Sequence, residues 1–278
     1  MPATPTNIAV TIAEVGLLVA GLVLLWRYVL SERARKAHQQ SGGLPAWEVS
    51  VSDFLLFAFL MIAGGLVAGM VSGAISTRWD LAEDTRTIIG SAAFQLGLLI
   101  GPALLPFYRT PPPLRPPPQS SAFSSGLATF LIALPIVTLV NLAWLQFLKV
   151  TGLPTEQQDL LRMFSDADHP ALIILLIVLA TLVAPVTEEL LFRGIFFRYL
   201  RTRIPRWLAL LLPGTIFAAL HVNWPTLEGL PSLVPLVTLA VIFSIAYERT
   251  GKITTAMVAH GLFNLHTILL LFSGATTV

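Results

Sequence analysis

The second half of this 278-residue chain carries two adjacent carboxylates at a place where charge is costly. Glu188 and Glu189 follow, after Thr187, an apolar run that extends from Ala171 to Val186. An apolar run of this length could lie within a membrane. Ionisable side chains in a membrane usually face the interior of a helix bundle or a hydrated cavity, because lipid does not solvate them. The pair is therefore the first candidate for a functional site.

Three more polar residues interrupt later apolar runs that we predict to be helical. His221 ends one run, and His260 and Asn264 lie four residues apart in another. Residues four apart share one face of a helix, so we expect His260 and Asn264 to lie together. The same spacing would let Arg193 reach Glu189.

Together these residue types match what hydrolysis by an activated water requires. A desolvated carboxylate such as Glu188 can act as general base, while Arg193 would hold Glu189 ionised. One imidazole can orient the attacking water, and a second imidazole with an amide can donate hydrogen bonds to a developing oxyanion. The chain contains no cysteine, which excludes a thiolate nucleophile. The pattern predicts a hydrolase that uses no nucleophilic side chain.

Each of these residues also has an ordinary structural interpretation when it is taken alone. The carboxylates could pair with arginines near the membrane boundary, and His221 could simply lie at a helix end. His260 and Asn264 could form hydrogen bonds between helices. The combination favours chemistry, because the structural interpretation must invoke a separate coincidence for each motif.

The composition predicts an all-α protein, a polytopic bundle of transmembrane helices. Hydrophobic residues make up 55% of the chain and charged residues 12%, where a soluble domain carries roughly a quarter. Apolar segments of about twenty residues mark candidate spans. Eight are predicted, at residues 8–30, 51–75, 87–108, 125–147, 171–197, 207–222, 233–247 and 253–272.

The basic residues predict how the chain is oriented in the membrane. Most lysines and arginines fall on one side of the bilayer if the N-terminus lies outside and the spans alternate, which places the candidate site toward the cytoplasm. They lie in short loops rather than in an aromatic-interleaved patch, so nucleic-acid binding is not expected. The sequence thus predicts an integral, multi-pass membrane protein.

A proline-rich stretch suggests a division of the chain. Residues 109–119 contain two runs of three prolines, which are typical of a stiff spacer. We expect residues 1–150 to form N-terminal helices of the bundle and residues 151–278 to form a catalytic core. The segment 151–169 between them is predicted to be an external loop or amphipathic stretch.

The polar motifs resemble those of a known family. They look like the three motifs of the CPBP family, which comprises CAAX prenyl endopeptidases and bacteriocin-processing and self-immunity proteins. The resemblance covers about Ala171 to Phe272, and its motifs are Glu188-Glu189-x-x-x-Arg193, Phe217-x-x-x-His221 and His260-x-x-x-Asn264.

The resemblance implies an intramembrane endopeptidase that acts on a peptide or protein at the bilayer, with or without a lipid modification. It makes Glu188 the base and His221 its partner on the water. His260 and Asn264 would stabilise the oxyanion. Glu189 would belong to the same site, where it and Arg193 would be structural or assisting.

The resemblance leaves metal dependence open. Members of the family have been described both as metalloproteases and as glutamate-dependent enzymes without metal. A divalent ion such as zinc would find its likeliest ligands in Glu188, His221 and His260. The chain has no His-Glu-x-x-His helix that would decide the matter.

Two other functions fit the same residues. The chain could be a non-catalytic immunity or scaffold protein that keeps the fold and binds a partner. It could also be an ion-coupled transporter with Glu188 and Glu189 as a relay, although no internal repeat is visible.

Three further polar residues in predicted spans have structural interpretations. We expect Glu14 to pair within the bundle and Gln95 to form hydrogen bonds between helices. His266 lies off the helix face that carries Asn264.

Overall fold

The computed structural model describes residues 5–40, 44, 47–108, 121–155 and 169–274. The predicted proline-rich spacer, residues 109–119, lies outside the described residues. So does most of the predicted external loop, residues 156–168.

The regular elements of the described residues are helices, and their one strand-like contact is an isolated bridge between Asn223 and Glu228. The predicted all-α fold is confirmed, and the chain is an integral, multi-pass membrane protein. Seven of these helices are long and apolar enough to cross a membrane, and we number them spans 1 to 7 in chain order. They are Ile8–Leu30, Val51–Arg78, Thr85–Leu104, Ala122–Thr151, Pro170–Leu200, Leu230–Thr250 and Ile253–Ser273.

The remaining predicted span, residues 207–222, is a shorter helix than expected. It is the 14-residue helix Arg206–Ala219, which rises about 21 Å, whereas a bilayer core is about 30 Å thick. Pro213 lies inside it. The apolar run predicted that His221 lies within the helix. His221 instead lies in a turn just beyond the end of this helix.

The chain forms two compact units. The first comprises Met1–Pro45, Pro117–Leu161 and Leu210–Val278, and the second comprises Ala46–Pro116 and Arg162–Ala209. Each unit draws on residues from both sides of position 150. The predicted division of roles between residues 1–150 and 151–278 stays a prediction.

In the first unit, spans 1, 4, 6 and 7 pack around an apolar core. Small residues allow the close approach, because a Cβ on Gly126 of span 4 would lie 2.5 Å from Val258 of span 7. Ser125 and Thr255 form a 2.9 Å hydrogen bond beside that contact. The buried core consists of Phe130, Ala133, Leu134, Val137, Leu239, Phe243, Ala256 and Ala259.

In the second unit, spans 2 and 3 pack through glycines, and aromatic residues join span 2 to span 5. A Cβ on Gly64 would overlap the carbonyl oxygen of Gly97, so these two helices contact each other through backbone. The ring of Phe54 stacks on Tyr199, with centroids 3.9 Å apart. The Arg203 guanidinium also lies over the Tyr199 ring and donates to the carbonyl of Val49.

Candidate active site

Span 5 carries the two carboxylates on a short α-helical segment between two wider turns. The segment Ala184–Glu189 is preceded by the π-helical stretch Leu179–Val183 and followed by another, Leu190–Phe197. Pro185 has no N–H and cannot donate to the carbonyl four residues earlier, so the helix does not continue regularly through this point. Such π-helical turns occur frequently at functional sites.

Glu189 and Arg193 form a buried ion pair. An Arg193 Nη1–H donates to Oε1 of Glu189 over 2.8 Å, and the side chains of Arg193 and Glu189 are 2% and 0% exposed. The contact predicted from the i, i+4 spacing is therefore confirmed. A buried charge requires such a partner, because leaving either one alone in a low-dielectric interior is costly. The geometry favours a structural role for Glu189 and Arg193.

Glu188 is half-buried and is joined by a neighbouring helix of the same unit. The side-chain amide of Gln95, on span 3, donates to Oε1 of Glu188 over 3.3 Å. The hydroxyl of Thr187 donates to the carbonyl oxygen of the same amide. The predicted hydrogen bonding of Gln95 between helices is thus correct in kind. Its contact with Glu188 was missed, because no local pattern links residues 93 positions apart.

His221 is held at the end of the short helix by its own ring. Its Nδ1 lies 2.8 Å from the carbonyl oxygen of Phe217. A carbonyl oxygen can only accept, so Nδ1 carries a proton, and whenever the ring is neutral Nε2 keeps a lone pair. The indole of Trp224 donates to the carbonyl of Ala219 over 3.1 Å. The His221 ring thus satisfies a carbonyl at the helix end, where regular backbone partners run out, while the carbonyl of Ala219 also accepts from the N–H of Val222.

The loop after His221 folds back against the backbone of that histidine. The N–H of Asn223 donates to the carbonyl of Glu228 over 2.8 Å, which closes the loop. Gly229 follows with φ of 80°, a conformation that favours glycine. A Cβ there would overlap the carbonyl oxygen of His221. Gly229 is therefore a residue that sequence reasoning missed, although glycine at a loop end is a recognisable signal.

His260 and Asn264 lie on span 7, one turn apart as predicted. The His260 residue is 7% exposed and its ring stacks on Phe243, with centroids 5.5 Å apart and planes at 30°. The ring of Phe217 meets His260 edge-on at 6.1 Å and also contacts the His221 ring at 4.7 Å. Phe217 thus lies against both imidazoles, within the first unit.

The predicted site residues fall into two groups. Glu188, Glu189 and Arg193 lie in the second unit, and the two histidines with Asn264 lie in the first. The convergence of the two groups on one water stays a prediction.

The three predicted metal ligands come from both units, Glu188 from the second and His221 and His260 from the first. Among the described residues, no group of three or more histidine, cysteine, aspartate or glutamate side chains could hold a metal ion. The ligand set of Glu188, His221 and His260 therefore stays a prediction.

Glu14 pairs within the bundle, as predicted, and its partner is His266. Nε2 of His266 lies 2.9 Å from Oε1 of Glu14, which links span 1 to span 7. His266 is thereby engaged away from the predicted site.

The part of the chain that carries the three motifs is similar to a known protein family. Residues 170–266 match the family model of the type II CAAX prenyl endopeptidase Rce1-like proteins, which confirms the predicted CPBP resemblance over those residues. The matched residues contain all three motifs. No solved structure matches the chain significantly.

Two curated relatives match part of the chain. An uncharacterized 24.3 kDa protein of Escherichia coli is 32% identical over 114 residues, which are 40% of this chain and 50% of that protein. The UPF0177 protein YbdI of Lactococcus lactis is 30% identical over 90 residues, 32% of this chain and 44% of the relative. The chain spans about half the length of the curated relatives it matches.

Proposed function

We propose that this chain, whose residues 170–266 match the Rce1-like endopeptidase family model, is an intramembrane protease that hydrolyses a peptide bond with water activated by Glu188. The observation that carries the proposal is the placement of Glu188. It is a half-buried carboxylate on a membrane span, inside the matched segment and beside the buried pair of Glu189 and Arg193. A carboxylate in such surroundings suits a general base.

The proposed reaction begins with removal of a proton from water by the Glu188 carboxylate. The water oxygen attacks the carbonyl carbon of the scissile bond, and Nε2 of His221 orients that water with its lone pair. His260 and Asn264 donate hydrogen bonds to the oxyanion that forms. The carbon–nitrogen bond then breaks, and Glu188 returns its proton to the departing amine.

The proposed substrate is a peptide or protein segment that reaches the site from the bilayer. The matched family points to a C-terminal Cys-a-a-X sequence carrying a prenyl group, the modification that anchors such proteins to membranes. We propose that the N-terminus lies outside and that the site opens toward the cytoplasm. Basic residues flanking span 5, such as Arg201, Arg203 and Arg206, support this orientation.

A search for newly formed peptide termini tests the proposal with no substrate chosen in advance. Membranes from cells expressing the wild-type chain, Glu188→Gln or Glu14→Gln are compared by mass-spectrometric mapping of these termini. Glu14→Gln is the matched control, because Glu14 is also a carboxylate on a membrane span and glutamine can still accept from His266.

The expected result is a set of new termini that is found with wild type and Glu14→Gln and is lost with Glu188→Gln. A set of termini identical in all three, or no difference from cells without the chain, would overturn the proposal. It would leave a non-catalytic immunity or scaffold role.

A further inference from the structure

The amide of Gln95 joins two consecutive residues of span 5 from a helix outside the matched segment. Its nitrogen donates to Glu188 and its oxygen accepts from Thr187. Gln95 lies on span 3, whereas the family match begins at residue 170. The N-terminal part of the chain thus reaches the proposed base directly.

The donor and acceptor pattern fits only one arrangement of this amide when Glu188 is ionised. An ionised carboxylate can only accept, so the amide must turn its NH₂ toward Glu188. The amide oxygen then faces Thr187, whose hydroxyl can donate. The reverse orientation would place the amide oxygen against a carboxylate oxygen with no hydrogen between them.

Thr187 is anchored more firmly than a surface threonine would be. It is fully buried, and the single hydrogen of its hydroxyl, for which the carbonyl oxygens of Val183 and Ala184 compete at 3.1 Å, is donated to the amide oxygen of Gln95. A residue held in this way gives the amide of Gln95 a fixed reference point. The chain of contacts runs from Thr187 through Gln95 to Glu188.

From this geometry we infer that Gln95 is a positioning residue for Glu188, and that Thr187 sets the orientation of its amide. Gln95 holds the ionised carboxylate in one rotamer, with its other oxygen directed to the water. The inference rests on the proposed function of Glu188, and it gives the N-terminal spans a part in the site. A hydrogen bond to a charged group is stronger than a neutral one, so its loss should release the carboxylate from this rotamer.

The surroundings of Gln95 leave room for a replacement side chain. Gln95 lines a pocket of about 440 Å³ together with Gly69, Thr87, Gly90, Ser91 and Phe94, all in the second unit. A methionine of similar length can occupy this position without overpacking. Gln95→Met therefore removes both hydrogen bonds while it preserves the volume.

The test measures kcat and KM of the purified chain in liposomes, with a fluorescence-quenched peptide ending in a farnesylated Cys-a-a-X sequence as the probe. Gln95→Met is expected to lower kcat about ten- to a hundredfold and to change KM by less than about twofold. Ser91→Ala is the control, because Ser91 lies on the same helix and lines the same pocket. It is expected to keep the wild-type kcat.

Double variants distinguish a positioning role of Gln95 from a role in helix packing alone. Thr187→Val should lower kcat in part, whereas Thr187→Ser, which keeps the hydroxyl, should have the wild-type kcat. The kcat of Thr187→Val combined with Gln95→Met should be no lower than that of Gln95→Met alone. In a Glu188→Gln background, Gln95→Met should have no further effect on the residual rate. Additive losses in either combination would overturn the inference, as would a wild-type kcat for Gln95→Met.

The same data distinguish this inference from the function on which it rests. If Glu188→Gln cleaves at the wild-type rate, the proposed function fails. If Glu188→Gln is inactive while Gln95→Met and Thr187→Val both cleave normally, only the role of Gln95 fails. Thr187→Val also replaces Gln95→Met as the deciding variant if the latter does not fold.

Discussion

Arg193 donates to Glu189 across one helical turn, over 2.8 Å and almost entirely out of contact with solvent. This buried pair follows immediately after Glu188 on span 5. The two adjacent carboxylates therefore have different partners. Glu189 neutralises Arg193, and Glu188 accepts a hydrogen bond from the amide of Gln95. We therefore propose that Glu188 carries the chemistry and that Glu189 stabilises the segment.

The pair predicts an asymmetric effect of single and double replacements on stability. Arg193→Met or Glu189→Leu alone leaves one buried charge uncompensated and should lower the free energy of unfolding by about 3–5 kcal/mol. Replacing both removes both charges, so the double variant should be more stable than either single variant. Denaturant titration in detergent measures the free energy of unfolding of the two single variants and the double variant relative to wild type. Strictly additive losses would show that the two side chains act independently.

The ring of His221 predicts different outcomes for two amide replacements. Nδ1 is committed to the carbonyl of Phe217, so Nε2 is the atom left for water. Glutamine can place its amide oxygen, an acceptor, near the position of Nε2, whereas the shorter asparagine reaches only the position of Nδ1. His221→Gln should therefore retain more cleavage than His221→Asn. The opposite order, measured as kcat with the farnesylated peptide, would assign the chemistry to Nδ1.

Gly229 provides a test of how closely His221 must be placed. In Gly229→Ala the new Cβ overlaps the carbonyl of His221 and must displace it, which should reduce cleavage on the order of a hundredfold. Gly251→Ala is the control, since Gly251 also has positive φ, at 68°, but nothing lies within 4 Å of its Cβ position. It should cost stability without loss of kcat. Equal kcat values for the two variants would contradict the role of this loop.

The Glu14–His266 pair predicts a loss of stability without a loss of chemistry. Hydrogen bonds between membrane helices contribute about 0.6 kcal/mol on average and at most about 1.7 kcal/mol. Glu14→Leu should destabilise the chain within that range, and Glu14→Leu with His266→Leu should recover part of the loss. Cleavage by the folded fraction should stay at the wild-type rate in both. A selective fall in kcat at full folding would give this pair a part in the reaction.

Much of the fold and the local part of the site follow from sequence periodicity. Apolar runs of about twenty residues predicted the seven long spans, because a bilayer demands both that length and that composition. The contact of Arg193 with Glu189 followed from the helical repeat alone. The helix end before His221 was not predicted, since an apolar run does not show where a helix stops. Turn-forming residues such as Asn223, Pro225 and Gly229 are the signals that mark it.

Contacts between distant helices could not be predicted in the same way. Glu14 was expected to pair within the bundle, but its partner His266 is 252 positions away and depends on how spans 1 and 7 pack. Gln95 was expected to form hydrogen bonds between helices. That its partner is Glu188 likewise depends on the packing of span 3 against span 5. Periodicity describes one helix at a time and carries no information about its neighbours.

The most direct measurement is the rate of peptide-bond cleavage by purified Glu188→Gln in liposomes, beside wild type and Glu14→Gln. The account predicts that Glu188→Gln inserts and folds like wild type but cleaves about a hundred- to ten-thousandfold more slowly, as loss of a general base requires. Glu14→Gln should cleave at the wild-type rate. Undiminished cleavage by folded Glu188→Gln would contradict the account.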